Sequence, residues 1–433
     1  MKVNKKIFFK IHGWIGIRLS ILFFIVCFSG TLATLSHEMD WLFIPAIRAV
    51  PQPELASRNL IMDNFRKAHP TGEVTFWLRT DEPYLCDIIY KEEGGQRTYV
   101  FANPYTGAIQ GKAQLTFQRF FRDLHYFLFV PFQIGHFTVL IFGFLLLISL
   151  ITALVFYKQW WRKLFELKMG NGPLVFFRSL HRLVGVWSVP FTLLFSITGI
   201  WYFMERANVA GVGDLGNPPV PVVASLKEGV QATDDAAKID YDRAVALAKR
   251  EIPGLVVGDI SPKRGEAGLI YLTGKSDVPL VRQRANRVYI DPTTYQVVSS
   301  QNAKDIGMVR YLNDIADPLH FGNFGGLPTK IIWFFFGLGI SGLVLTGIWI
   351  TAKRKAIKRK KDNKPIMGGW RYVNWGFLAL MLGFMYYFLF NRYSISLTAF
   401  ATITAGWLLF VFGCHYLFVH QMEKSVQKAL KKN

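Results

Sequence analysis

Six long apolar stretches alternate with polar segments along the chain. They fall at about residues 17–36, 134–157, 183–204, 329–351, 372–391 and 395–419. Each is long enough to cross a hydrocarbon core of about 30 Å as a helix, so the pattern predicts six transmembrane helices. The first run is too apolar, and too poor in small-residue cleavage signals, to be read as a removable signal peptide. Two polar segments, about 37–130 and 205–328, are long enough to fold. In the first, Asn59–Ala68 has helical periodicity. Alternating runs at about 73–79, 84–91 and 97–102 follow, then the turn Asn103-Pro104-Tyr105-Thr106-Gly107 and a short strand. In the second, Asp240–Glu251 predicts a helix. Strands at about 255–260, 268–273 and 286–290 precede Asp291-Pro292-Thr293-Thr294-Tyr295 and Gln296-Val297-Val298. The expected fold is a membrane all-α bundle carrying two small extracytoplasmic α+β domains. Residues 211–235, rich in Gly, Pro and Ala without periodicity, read as a linker.

The pattern is also duplicated. His12-Gly-Trp-Ile-Gly16 runs on to Ser29-Gly30, and His181-Arg-Leu-Val-Gly185 runs on to Thr198-Gly199. Leu124-His125-Tyr126 and Leu319-His320-Phe321 each stand just ahead of another apolar run. The order of helix, outer domain, histidine and helix occurs twice, and helices five and six have no counterpart. The expected layout is transmembrane helix 1 (1–36), first outer domain (37–130), helix 2 (131–158), a cytoplasmic loop (159–180), helix 3 (181–204), second outer domain (205–328), helix 4 (329–352), a basic cytoplasmic loop (353–371), helices 5 and 6 (372–420) and a tail (421–433).

Charge sets the orientation. The net charge is +21, which alone would raise nucleic-acid binding. Residues 1–11, 158–182, 353–371 and 421–433 hold 23 basic and 3 acidic residues, nearly all of that excess. All four segments lie on one side of six alternating helices. This is the positive-inside pattern of an inner-membrane protein with both termini cytoplasmic and both long loops periplasmic. No nucleic-acid partner is expected; the partner implied is the lipid bilayer. The three cysteines form no pair within one outer domain, and no C-x-x-C-H or cysteine cluster offers covalent haem attachment, an iron–sulfur cluster or zinc.

Histidine at a membrane boundary is costly and needs a reason. Imidazole is the usual axial ligand of haem iron, and two histidines from facing helices make a six-coordinate b-type site. Topology pairs His12 with His181 at the cytoplasmic ends of helices one and three. It pairs His125 with His320 at the outer ends of helices two and four. Two haem b groups are therefore expected, one near each surface. A lone histidine would more often be an interfacial side chain; four in duplicated places favour ligation. His136 is an alternative outer ligand, or a propionate donor, without a copy in the other half. Arg122 and Arg182 are the expected propionate contacts by charge and adjacency. His37 reads as solvated or interfacial, His69 as a helix cap, and His415 with His420 as packed or snorkelling. Gly211-Val-Gly-Asp-Leu-Gly216 matches a dinucleotide fingerprint, but no strand precedes it and the match is read as chance.

The duplicated H-x-x-x-G helix, the L-H before the next helix and the outer domains ending in an Asp/Asn-Pro-x-Thr-Gly hairpin resemble the PepSY-associated transmembrane family. The likeness is greatest to its bacterial inner-membrane ferrisiderophore reductases and covers about residues 5–355. Tyr295, where the first copy has Gly107, departs from the pattern. The resemblance implies PepSY-like outer domains and an oxidoreductase that reduces a ferric siderophore in the periplasm, releasing Fe(II) for iron acquisition. No flavin or nicotinamide motif is present, so an external donor, a quinol or a cytoplasmic reductase, is expected. Two other readings remain at this stage. One is a membrane-anchored peptide-binding or protease-regulating module without redox activity; the other is a permease for an iron chelate.

Overall fold

The computed structural model of the chain describes residues 4–157, 159–170, 172–222, 239–358 and 368–420. The predicted tail 421–433, residues 359–367 of the basic loop and residues 223–235 of the linker lie outside them. Most of the apolar runs become helices, but not all of them are straight. The first is broken into α1 (Lys5–Arg18) and α2 (Ser20–Thr34), which meet at 76°. Then come α3 (Ser36–Phe43), the domain helix α4 (Arg58–Ala68), and α5 (Phe117–Phe127) ahead of the long α6 (Phe132–Phe156). The third run is also broken, into α7 (Pro173–Trp187) and α8 (Val189–Arg206) at 60°. The short α9 (Val212–Gly216) follows, which turns the glycine-rich fingerprint match into part of a helical turn. Domain helix α10 (Tyr241–Glu251), short α11 (Met308–Asp314) and α12 (Ala316–Phe321), and long α13 (Leu327–Lys358) complete the second half. α14 (Trp370–Asn391) and α15 (Leu397–His415) end the described chain. By length and composition α6, α13, α14 and α15 can each cross a membrane, and each bent pair can count as one further span, giving four to six.

The outer segments contain the predicted strands. They are β1 (Glu73–Leu78), β2 (Asp87–Glu93), β3 (Gln96–Ala102) and β4 (Ile109–Ala113) in the first half. The second half has β5 (Val256–Arg264), β6 (Leu269–Lys275), β7 (Asn286–Ile290) and β8 (Val297–Gln301). They do not form two separate sheets. One antiparallel sheet runs β4-β3-β2-β1-β5-β6-β7-β8, joined where Trp77 faces Ile260 and Leu78 faces Asp259. The first strand of each half would otherwise be an unpaired edge, and pairing the two edges satisfies both. A shared core covers the joint: Ile61, Phe65, Trp77 and Val100 of the first half pack with Tyr241, Ala248, Ile260 and Leu272 of the second.

The domain helices cap one another across that joint. The Asp242 carboxylate accepts from the Arg58 backbone at 2.7 Å, and the Tyr241 backbone donates to the Asn59 side chain at 2.8 Å. Each thus fills orphan N–H groups of the other's first turn. The two hairpin turns are built alike: Asn103 Oδ1 accepts from Tyr105 and Thr106, and Asp291 Oδ1 from Thr293 and Thr294. Gly107 and Tyr295 both take a left-handed backbone, at φ 75° and 58°. Tyr295 bears the strain of a non-glycine there. Its hydroxyl accepts from the Asp240 backbone at 2.6 Å, and Arg243 lies 4.3 Å from its ring centre, so the departing residue is tied to the start of α10.

The first domain is also clamped to the bundle. Lys330, near the outer start of α13, donates to Glu38 at 2.9 Å and to Glu82, while His37 Nδ1 lies 3.3 Å from Glu82. His37 is therefore an ion-pair partner rather than a solvated side chain. Burial opposes its protonation, but the Glu82 carboxylate outweighs that and raises its pKa. Asp40 accepts from the backbones of Phe117 and Gln118 and so caps α5.

Candidate functional site

Each half places one histidine on a helix ahead of its break and one on a short helix leading into its second span. The structure brings these four together in two pairs. His12 of α1 and His181 of α7 have ring centres 6.4 Å apart. His125 of α5 and His320 of α12 have ring centres 6.2 Å apart. Two metal–nitrogen bonds of about 2.0 Å, with roughly 1.1 Å from each nitrogen to its ring centre, would set two axial imidazoles about 6.2 Å apart. Both pairs have the spacing that a single iron between them requires.

Their tautomers are fixed by the neighbouring helices. His12 Nδ1 donates to the Ser149 carbonyl at 3.0 Å, and His125 Nδ1 to the Val26 carbonyl at 2.9 Å. A carbonyl only accepts, so each Nδ1 carries the proton. In the second half the partners are hydroxyls: His181 Nδ1 lies 2.9 Å from Thr346 and His320 Nδ1 2.7 Å from Thr198. Each hydroxyl already donates its proton at 2.8 Å, Thr346 to the Gly342 carbonyl and Thr198 to the Leu194 carbonyl. It is left to accept, and these histidines are protonated on Nδ1 too. All four keep the Nε2 lone pair for a ligand, the arrangement that outer hydrogen bonds impose on metal-binding histidines.

A cavity of ≈ 500 Å³ opens at the inner pair, lined by His12, His181, Gly13, Gly16, Gly185 and Thr192 among others. A side chain built on Gly13 or Gly16 would meet nothing within 4 Å, so these glycines keep a face of α1 clear. Lys168, Arg178, Arg182 and Arg354 give the same cavity a basic rim. Arg182 donates to the Glu166 carbonyl at 2.9 Å, yet its Nε is buried without a partner. A mainly apolar space, basic residues along it and two tethered imidazoles fit a haem with its two carboxylates.

The other glycines of the repeat do different work at equivalent places. A Cβ on Gly30 would lie 2.7 Å from His125 Cε1, so this glycine seats the outer imidazole. A Cβ on Gly199 would instead approach Gly143 at 3.4 Å, where α8 crosses α6 closely. The outer pair is ringed by aromatics, with Phe195 and Tyr202 edge-on to His320 at 5.5 and 5.4 Å. Tyr202 donates to Asp317 at 2.7 Å, and Asp317 pairs with Arg282 of the second domain.

His136 takes no place in either pair. It is buried, its Nδ1 donates to the Tyr126 carbonyl at 3.0 Å, and its ring stacks on Phe132 at 5.3 Å. Arg122 is exposed and lies 5.5 Å from the Tyr126 ring centre. His69 caps α4 as expected, and Tyr416 stacks on His420 at 5.6 Å. Among the described residues, no three His, Cys, Asp or Glu side chains gather into a metal site of their own. Sequence reading missed Ser149, Thr346 and Thr198, because small hydroxyl residues in apolar helices usually satisfy their own backbone. The available signal was that Ser149 and Thr346 both stand deep in the span that follows an outer domain.

An uncharacterised protein of Pseudomonas aeruginosa, PA4219, is 25% identical over 259 residues, covering 54% of this chain and 63% of that one. The match thus spans less than two thirds of the relative. The description of the PepSY-associated TM region fits residues 9–354, which contain both halves and all four paired histidines. The chain belongs to the PepSY-associated transmembrane family.

Proposed function

We propose that the two histidine pairs are the axial ligands of two b-type haems, and that the protein is an inner-membrane oxidoreductase. It would pass electrons outward to a ferric siderophore held at the periplasmic domains. The observation that carries this reading is geometric: two pairs from two repeats share the spacing of axial imidazoles, and all four rings offer Nε2. Haem iron, when bound, supplies one-electron exchange between Fe(III) and Fe(II).

The protein's own residues do the rest. Ser149, Val26, Thr346 and Thr198 hold the imidazoles in one tautomer. Gly13 and Gly16 leave room for a flat group, and Arg182 and its basic neighbours suit carboxylates. Tyr202, Asp317 and Arg282 link the outer histidine to the second domain. The substrate's iron gains one electron from an external quinol or a cytoplasmic reductase, and Fe(II) is released because it binds hard oxygen donors more weakly.

The test is a reduced-minus-oxidised spectrum of the purified protein from haem-replete cells. The expected result is a b-type band with two haems per chain. His12→Ala or His320→Ala should remove one of them and abolish ferric reduction measured with an Fe(II) chelator. Haem-free protein that inserts normally overturns the proposal.

A further inference from the structure

The break in span one leaves a specific gap. Across Leu19 the helical ladder is interrupted, so the Ile21 N–H stands in the open first turn of α2 and the Arg18 carbonyl at the last residue of α1. An unmet backbone group in a membrane interior has no water to turn to and is costly. Both are met by one side chain from a helix outside the repeats. Asn374 of α14 is buried; its Oδ1 accepts from the Ile21 backbone at 3.2 Å, and its Nδ2 donates to the Arg18 carbonyl at 2.6 Å. The amide is inserted into the ladder, as a side chain at a kink must be.

The second half breaks at the matching place without such help. The repeat offset that carries His12 onto His181 and Gly30 onto Gly199 carries Leu19 onto Ser188 and Ile21 onto Pro190. Pro190 lies in the first turn of α8. Proline has no N–H to satisfy and is tolerated in a first turn. One half removes the orphan donor; the other supplies it with an acceptor.

The break matters because both kinds of ligand depend on it. α1 carries His12, while α2 carries Gly30 and the Val26 carbonyl that seat His125. The angle between them decides whether both can be in place at once. We infer that Asn374 is a positioning residue for the first half's histidines, standing in for the proline the second half has, and that α14 is a brace rather than an appendage. The inference of haem positioning rests on the proposed function; the brace itself does not.

The test compares wild type, Asn374→Leu, Ile21→Pro and the double variant. Spin labels attached through unnatural amino acids at Lys6 and Lys168 report the placement of α1 without any cofactor. Asn374→Leu should shift and broaden that distance and weaken haem retention at the inner site about 10-fold or more, with an altered low-spin haem signal. The double variant should move both the distance and the signal back towards wild type, because proline abolishes the donor that Asn374 serves, while the contact to the Arg18 carbonyl stays lost. A distance unchanged in Asn374→Leu, or changed and not moved back by Ile21→Pro, overturns the inference. If the wild type holds no haem, the proposed function fails while the distance still decides the brace.

Discussion

At the scale of single residues, the four imidazoles are alike in tautomer and unlike in support. The first half tethers them to backbone carbonyls, which substitution cannot remove, with the Ser149 hydroxyl also 3.1 Å from His12 Nδ1. The second half uses Thr346 and Thr198 side chains. If the proposed haems are bound, Thr346→Val and Thr198→Val should each weaken retention of the nearby one by about 10- to 100-fold and shift its midpoint potential. Thr→Ser at either place should restore most of it; titration of haem loss to apomyoglobin measures both. Gly30→Ala forces a methyl against His125 and should loosen the outer haem. Gly16→Ala meets no protein atom, so any loss of inner haem there reports the bound group itself. The histidine pairs were legible because duplication repeats their surroundings: His12 and His181 each precede glycines four and eighteen residues on, and His125 and His320 each follow a leucine. Their hydroxyl partners were not, since a serine or threonine in an apolar run has its own i−4 carbonyl to serve.

At the scale of elements, the joint between β1 and β5 carries a pH-sensitive group. Asp259 faces Leu78 there, with Oδ1 unpartnered and Oδ2 accepting from Thr273 at 3.3 Å. Burial pushes its carboxyl up to about 7, against the Thr273 hydrogen bond and the nearby Arg58 charge. A folded pKa above the unfolded one stabilises the protein below the unfolded value and loses that contribution as pH rises through the folded value. Thermal stability should fall between about pH 4 and about pH 7, and Asp259→Asn should flatten that fall; melting curves across the range check it. The strands and domain helices were readable from alternation and capping residues. The breaks were harder: Pro190 stands at one, whereas no proline stands near Leu19, and the backbone at its break is met by a helix more than 300 residues away.

At the scale of the whole molecule, the duplicated plan becomes a pseudo-two-fold assembly. Each half gives one histidine to each pair, one strand edge to the joint and one helix cap to the other's domain helix. The charge asymmetry sets the expected sidedness of such a bundle. The single sheet was not visible, because an edge strand awaiting a partner has the same alternation as one facing solvent. Outside the repeats, Tyr393 at the far end of α14 donates to Asp123 at 2.7 Å, two residues before His125. The brace therefore touches the first half at both ends.

The antiparallel meeting of β1 with β5 has a consequence for ancestry and for synthesis. Two equivalent strands paired about a two-fold axis are what a symmetric homodimer would build from a single half, so the chain has the form of a dimer fused end to end. During synthesis the first half must wait, its β1 edge open, until the second emerges. A chain ending after residue 165 should pair with itself through that edge. Cross-linking at Trp77→Cys would detect the dimer, and a monomeric half would deny the fused-dimer origin.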